Sequence, residues 1–546
     1  MKIWHLGALA ILGLLLTACS GAAPPDTFST PQSQDHITGN STSSPADMAL
    51  TPTLPPVDTA LWIAPEVPAP LRSAAETLAL REDIRLVGEP DAADVRLEAG
   101  GEHPVSVWIY AAVVPFPRTR DEMGLEDLVA VWRGATSYGR LYVSDATYAA
   151  MESLWGPAPA GQAEVMPETV APDVVWQSLP AMAILPFEEL EPAWKVLQIE
   201  GISPLQHDFN PARYPLVVVF GLSGDSASVN HLQALGEWPA VNREPQKLTV
   251  LAMTGTTALA RTTAARMYQY GPEYPARDIL PWLQGADLLH ISHEVSFAGD
   301  CPTPDPFQVD LRFCSDPDNL ALFEYIGVDV VELTGNHNLD WGIAAYIDTL
   351  EAYHALGYVT YGGGEDLFDA QQGVVVEHHG NEFFFIGCNL PGPVGAWAGE
   401  TTPGAARCDD AVLLPQVTAA REAGYIPIVT YQWNENATVS YTFEEAAHRA
   451  VEAGALIVSG SQAHQALGFE FYEDGFIHYG LGNLFFDQMQ SQELRREFID
   501  RYIIYDGRII GVELLTAMLE DYARPRPMTA WEREVFLQEI FRMSGW

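Results

Sequence analysis

Lysine is almost missing from this 546-residue chain. Only Lys2, Lys195 and Lys247 occur, so its cations are nearly all arginine. Cations of both kinds number 28 against 72 acidic residues, a formal net charge of −44. So anionic a surface argues against nucleic acid and against an anionic membrane surface as partners, since both need a basic face. An anionic substrate would be repelled at long range and would need a metal or arginines at the contact itself. No Gly-x-Ser-x-Gly elbow, Walker loop or dinucleotide fingerprint is present, which removes serine hydrolase, NTPase and Rossmann readings. There is no internal repeat. Beyond the first nineteen residues no apolar run approaches the ~18 to 20 residues of a membrane span.

Those first residues form a different object. Met1-Lys2 give a positive start, 6–16 is a short apolar run, and Leu16-Thr17-Ala18-Cys19 matches a bacterial lipoprotein cleavage box. The expectation is a signal peptide over 1–19 and a lipid-anchored amino terminus at Cys19, hence an extracytoplasmic protein on the bacterial cell membrane. Residues 20–57 are rich in Ser, Thr, Pro and Ala. They cannot bury enough apolar surface to fold, so they read as a tether on the order of 35 Å in span. The other cysteines are Cys301, Cys314, Cys388 and Cys408, an even number in an oxidising compartment. The pairs close in sequence are 301 with 314 and 388 with 408, each worth roughly 3 kcal/mol if unstrained. A zinc site competes with this reading, but no C-x-x-C spacing exists, so disulfides are favoured.

A hydrophobic content of 48% over this length predicts more than one core. Residues 58–223 alternate strand and helix patterns: strands at 61–64, 105–114, 181–187 and 196–199, helices at 71–80 and 125–132. The stretches Val114-Pro115-Phe116, Leu125-Glu126-Asp127-Leu128, Trp132-Arg133-Gly134 and Ala183-Ile184-Leu185-Pro186-Phe187 resemble phosphate-type periplasmic solute-binding proteins. The Ser- and Gly-rich anion loops of such binders are missing, so an adaptor role competes with ligand capture. Residues 224–246 are polar and turn-rich and are taken as a linker. From 247 to 546 the alternation resumes, with strands at 248–253, 287–292, 328–334, 383–388, 425–431 and 456–459. A hairpin turns at Asp506-Gly507, and an amphipathic helix over 531–543 ends the chain.

Five polar clusters fall at strand ends of this second region, where α/β folds place their chemistry. They are Thr254-Gly255-Thr256 with Arg261; Ser292-His293-Glu294; Gly335-Asn336-His337 with Asp340; Tyr431-Gln432-Trp433-Asn434; and Gly460-Ser461-Gln462-Ala463-His464. The third is the most suggestive. A buried strand stops at a glycine and sets an amide oxygen beside an imidazole, one hard ligand next to one group that moves protons near neutral pH. His448 lies in a helical pattern with Glu444, Glu445 and Glu452 and reads as part of a solvated face. His378 and His379 flank a turn and read as exposed.

The wording Gly335-Asn336-His337-Asn338-Leu339-Asp340-Trp341-Gly342, Tyr361-Gly362-Gly363-Gly364, His478 to Asp487 and Arg524-Pro525-Arg526-Pro527 resembles the CapA family of bacterial capsule and poly-γ-glutamate synthesis proteins. The resemblance spans about 248–529. It implies a calcineurin-like metallophosphatase fold, a four-layer αββα sandwich behind the solute-binding-like α/β domain. It also implies a metal site, and here Glu294, Asn336, Gln432, Gln462 and His464 stand at ligand positions. Thr256 replaces the expected aspartate, Ser292 an asparagine, and Gln432 and Gln462 replace histidines. Glutamine oxygens suit hard ions better than zinc-like ones. The expected cofactor is therefore one divalent ion (Mg, Mn, Ca or Zn), with a metal-free cleft as the alternative.

In this reading His337 and Asp340 are the catalytic pair, and Arg261, Asn338 and His293 contact substrate. The expected function is synthesis, export or anchoring of an anionic envelope polymer. The partners would be the polymer or its precursor, the membrane through the anchor, and membrane-bound synthase or exporter subunits. A metal-dependent phosphoesterase and an anion-binding transporter lipoprotein are the alternatives.

Overall fold

The computed structural model describes residues 58–135 and 138–546. The expected signal segment, the tether and Cys19 lie outside the described residues.

The first unit is organised on one long strand, His103–Pro115, whose apolar run leaves Trp108 to Val113 buried. One end pairs with Val217–Gly224 and the other with Ala181–Pro186 and Trp194–Val196, all antiparallel. On one flank Val95–Ala99 joins Val217–Gly224 antiparallel and carries the parallel strands Thr59–Ile63 and Ile84–Leu86; on the other, Arg140–Ser144 and Ala163–Met166 run parallel to Ala181–Pro186. The result is a nine-stranded α/β sheet in two halves.

The stretch expected as a linker is folded. Ser226–Leu235 is a helix, capped by the Asp225 carboxylate accepting from the Ser228 amide, with Val229 and Leu232 buried in the first unit. Asn242 accepts from the Ile109 amide and donates to the Ile109 carbonyl and to Glu188. Val229 and Leu232, one turn apart, are enough to seat a short helix whose other residues are mostly small or polar, and that is why its pattern reads as a loop.

The second unit has two sheets face to face. One runs Val359–Tyr361, Val330–Glu332, Leu288–His293, Leu248–Thr257, Arg496–Tyr505, Arg508–Glu520 and Arg524–Pro527. The other runs Val374–His378, Asn381–Asn389, Ile426–Gln432, Ile457–Ser461, Gly475–His478 and Phe469–Tyr472. Strand alternation sorts the side chains. Leu251, Met253, Phe383, Phe385 and Ile428 pack between the sheets. Ala252, Ile291 and Val331 face helices on one outer side, whereas Phe384, Ile386 and Val429 face helices on the other. The layers are αββα.

The helix Ile343–Leu356 follows the Asn336–His337 loop. The hairpin turns at Asp506 and Gly507, both with positive φ, 51° and 77°. Both disulfides, Cys301–Cys314 and Cys388–Cys408, are formed.

The units share a core rather than hanging on a hinge. Phe116 of the first meets Phe469, Phe471, Phe476, Phe541 and Trp546 of the second, with ring centroids 5.3–6.3 Å apart. Beside this box Arg533, on the closing helix Ala530–Met543, makes a two-pronged pair with Asp121 at 2.8 and 2.9 Å.

Candidate functional site

The parallel strands of both sheets end on one side, and there the five clusters meet. Gln432 is the centre. Its Nε2 donates to Asn336 Oδ1 at 2.8 Å and to Gln462 Oε1 at 2.6 Å. The Gln462 amide in turn donates to Thr256 Oγ1 at 3.2 Å. Two loops and two strand ends are thus joined by hydrogen bonds across both sheets.

Glu294 lies against this group. Strand alternation turns it inward and His293 outward. A Cβ on Gly335 would stand 2.4 Å from Glu294 Cβ and 2.5 Å from its Cα, so only glycine lets the Asn336 loop lie this close. Glu294 is 2% exposed, and neither carboxylate oxygen has a hydrogen-bond partner in the protein. Burial raises its pKa, opposed by the nearby His464 and His337.

The two histidines are held differently. His337 Nδ1 pairs with Asp340 Oδ2 at 2.7 Å, and the same Asp340 oxygen accepts from the Phe313 amide. Burial pulls the His337 pKa down, but the Asp340 bond and the charges of Glu294 and Asp340 outweigh it, for a net rise. His464 Nδ1 pairs with Asn483 Oδ1 at 2.8 Å, which leaves Nε2 toward the mouth, 3.9 Å from the exposed Glu435. Both Gln462 and His464 carry positive φ, 66° and 56°. Side chains with a Cβ adopt that backbone rarely, and such strain gathers at ligand-facing loops.

Arg261 closes the rim. It pairs with Asp487 at 2.5 Å and lies over Phe313 and Phe486, which flank His337 and His464 respectively.

Two expected substrate contacts are corrected. Asn338 is a brace: its Nδ2 donates to the carbonyls of Leu333 and Gly335, and it is 2% exposed. His293 faces the helical layer, stacked on Phe297 with Nδ1 bonded to the Tyr353 hydroxyl, and desolvation lowers its pKa to about 3. Nor are the turn histidines free. His378 meets Thr249 Oγ1 and His379 the Leu248 carbonyl. His448 stacks on Tyr472 and bonds Glu470 instead of pointing to solvent. Glu435, Asn483, Phe313 and Phe486 were missed, although Asn483 stands inside the Gly482-Asn483 wording that carries the resemblance.

The donor set decides what ion fits. Asn336 Oδ1 and Gln462 Oε1 already accept from one amide, Asp340 is committed to His337, and Glu294 alone supplies an enclosed charge. Two adjacent dications lack the anions to offset their repulsion. Glu294, whose two oxygens have no partner in the protein, and His464, whose Nδ1 is held by Asn483, are the groups that would hold a single cation. In the first unit the buried cations Lys195 and Arg243 are already bound, to Asp121 and to the carbonyls of Pro204 and Gln206.

A four-layer sandwich with carboxylate, amide and imidazole groups at one rim defines a metallophosphatase-like domain. Residues 250–488, within the second unit, match the family described as bacterial capsule synthesis protein PGA_cap. The capsule biosynthesis protein CapA of Bacillus anthracis is 25% identical over 300 residues, 54% of this chain and 72% of that protein. Among solved structures, a 5'-nucleotidase precursor from Thermus thermophilus covers 54% of this chain and 58% of its own, at 12% identity and TM-score 0.31. A phosphate transport receptor from Vibrio cholerae covers 32% of this chain and 92% of its own, at 14% identity and TM-score 0.28. Superpositions this loose carry no argument, and the layer order stands on the strand pairing.

Proposed function

We propose that this chain is a cell-envelope accessory protein of CapA type, acting in the synthesis, export or anchoring of a capsular or poly-γ-glutamate polymer. The observation that carries the reading is the joining of Asn336, Gln432 and Gln462 beside Glu294 and His464, inside the family-matched region. A polymer carboxylate meets an anionic protein, so attraction must be local. Arg261, His337 and His464 supply it: the imidazoles present nitrogens to the mouth, and burial favours the neutral form of Glu294.

A bound divalent ion would be held by Glu294 and His464 and would add positive charge for an anionic group. The Cys19 anchor would keep this rim near membrane-bound synthase or exporter subunits, outside the cytoplasm.

A second reading, a metal-dependent phosphoesterase, draws on the His337–Asp340 pair. Asp340 fixes the ring through Nδ1 and leaves Nε2 to give a proton to a leaving oxygen.

The test is His337→Ala and His464→Ala in cells that make the polymer, with purified proteins assayed alongside. Under the first reading each variant lowers polymer retention and polymer binding by about tenfold, the cost of one charged hydrogen bond. Phosphoesterase turnover in manganese that His337→Ala abolishes would favour the second. Unchanged retention and binding in both variants would overturn the first.

A further inference from the structure

A second group of donors sits away from the rim, on the outer face of the six-stranded sheet. Glu444 and His448 are one turn apart on the helix Tyr441–Glu452, so they share a face. Glu470 comes from the edge strand Phe469–Tyr472 beneath. Alternation aims Phe469 and Phe471 at Phe116, and Glu470 and Tyr472 at the helix. One donor atom from each of Glu444, His448 and Glu470 lies within 4.8 Å of the others. Among the described residues this is the only such trio of His, Cys, Asp or Glu.

The trio is pre-positioned. The His448 ring lies flat on Tyr472, centroids 3.8 Å apart and 6° from parallel. His448 Nε2 is 3.0 Å from Glu470 Oε2, which also accepts from the Tyr479 hydroxyl at 2.6 Å. A plain ion pair accounts for only part of this. Two carboxylates converge on one imidazole, which even when protonated neutralises one of them. Arg449, the helix's one other basic residue, pairs with Asp410 instead. A dication supplies the missing charge, and ligands about 2.0–2.2 Å from zinc stand 3–4 Å apart, a small closure from the observed spacing.

We infer that Glu444, His448 and Glu470 form a divalent transition-metal site, zinc being the ion their nitrogen and oxygen donors suit, which clamps the outer helix to the edge strand. The ion would complete its shell with water, because only three protein ligands converge.

Zinc chloride titrated calorimetrically into the chelator-stripped chain tests this, together with zinc-edge anomalous scattering from soaked crystals. The expected result is an anomalous peak between the three side chains, a raised melting temperature, and affinity lowered more than about tenfold in His448→Ala and Glu470→Gln. Glu444→Gln, at an exposed position that folding does not need, should lose the site with its circular dichroism unchanged. No zinc binding by the wild type, or equal binding by wild type and Glu444→Gln, would overturn the proposal.

Discussion

Two glutamates at the strand ends are buried alike and partnered unlike. Glu332, on the floor between the sheets, and Glu294, at the rim above it, are each 2% exposed, and burial raises the pKa of both. Glu332 accepts from Thr334 Oγ1 at 2.5 Å and Ser461 Oγ at 3.3 Å, with His290 3.7 Å away. Glu294 accepts from nothing in the protein. A buried acid with its partners in place is scaffold, because its desolvation is offset within the chain. One without partners costs the fold stability, and Glu294 bears that cost at the rim.

The largest effect should come from breaking the floor. Glu332→Ala removes a fully buried side chain and strands Thr334 and Ser461 without their acceptor. Unfolding in urea should show a loss of about 3 kcal/mol, from the cavity and the unpaired hydroxyls together. A loss under about 1 kcal/mol would mean that the floor is as loosely held as the rim. Gln432→Leu should cost less, about 2 kcal/mol, since it leaves Asn336 Oδ1 and Gln462 Oε1 unpartnered but keeps the volume. The same experiment checks whether the rim loops act as one unit.

Much of the fold was legible because it depends on local pattern. The closing helix expected over 531–543 runs Ala530–Met543, and Asp506-Gly507 named its own turn. At the rim, Gly335 was legible as a strand stop. Its closeness to Glu294 was not, being a contact between residues forty apart. Asn338 and His293 read as polar groups beside a site, and only backbone direction shows one bracing the loop and the other turned to the opposite face. The floor was invisible for a related reason. His290 and Glu332 sit in apolar strands, and nothing local says that Tyr361 and Ser461 will reach them. His448 looked solvated because its partners, Glu470 and Tyr472, arrive from a strand some twenty residues later.

The smallest effect is the most discriminating, and it is a slope. An acid whose folded-state pKa is raised binds its proton more tightly folded than unfolded. Its contribution to stability is full below the unfolded value of about 4.3 and is lost as pH rises through the folded value. Glu294 is such a group, and Gln cannot titrate. With chelator present, Glu294→Gln should match the wild type within about 1 kcal/mol near pH 4, then gain on it as pH rises. The Glu294 charge is part of what raises the His337 pKa, so both proteins carry His337→Ala as well, which removes that second titration from the difference. Urea midpoints taken from pH 4 to 8 at constant ionic strength measure this directly. If the two proteins keep parallel slopes, Glu294 has a partner that neutralises its charge in the folded chain, and the contrast with Glu332 fails. If the slopes diverge while polymer binding falls in the variant, the stability lost at Glu294 is the cost of holding a carboxylate open for its ligand.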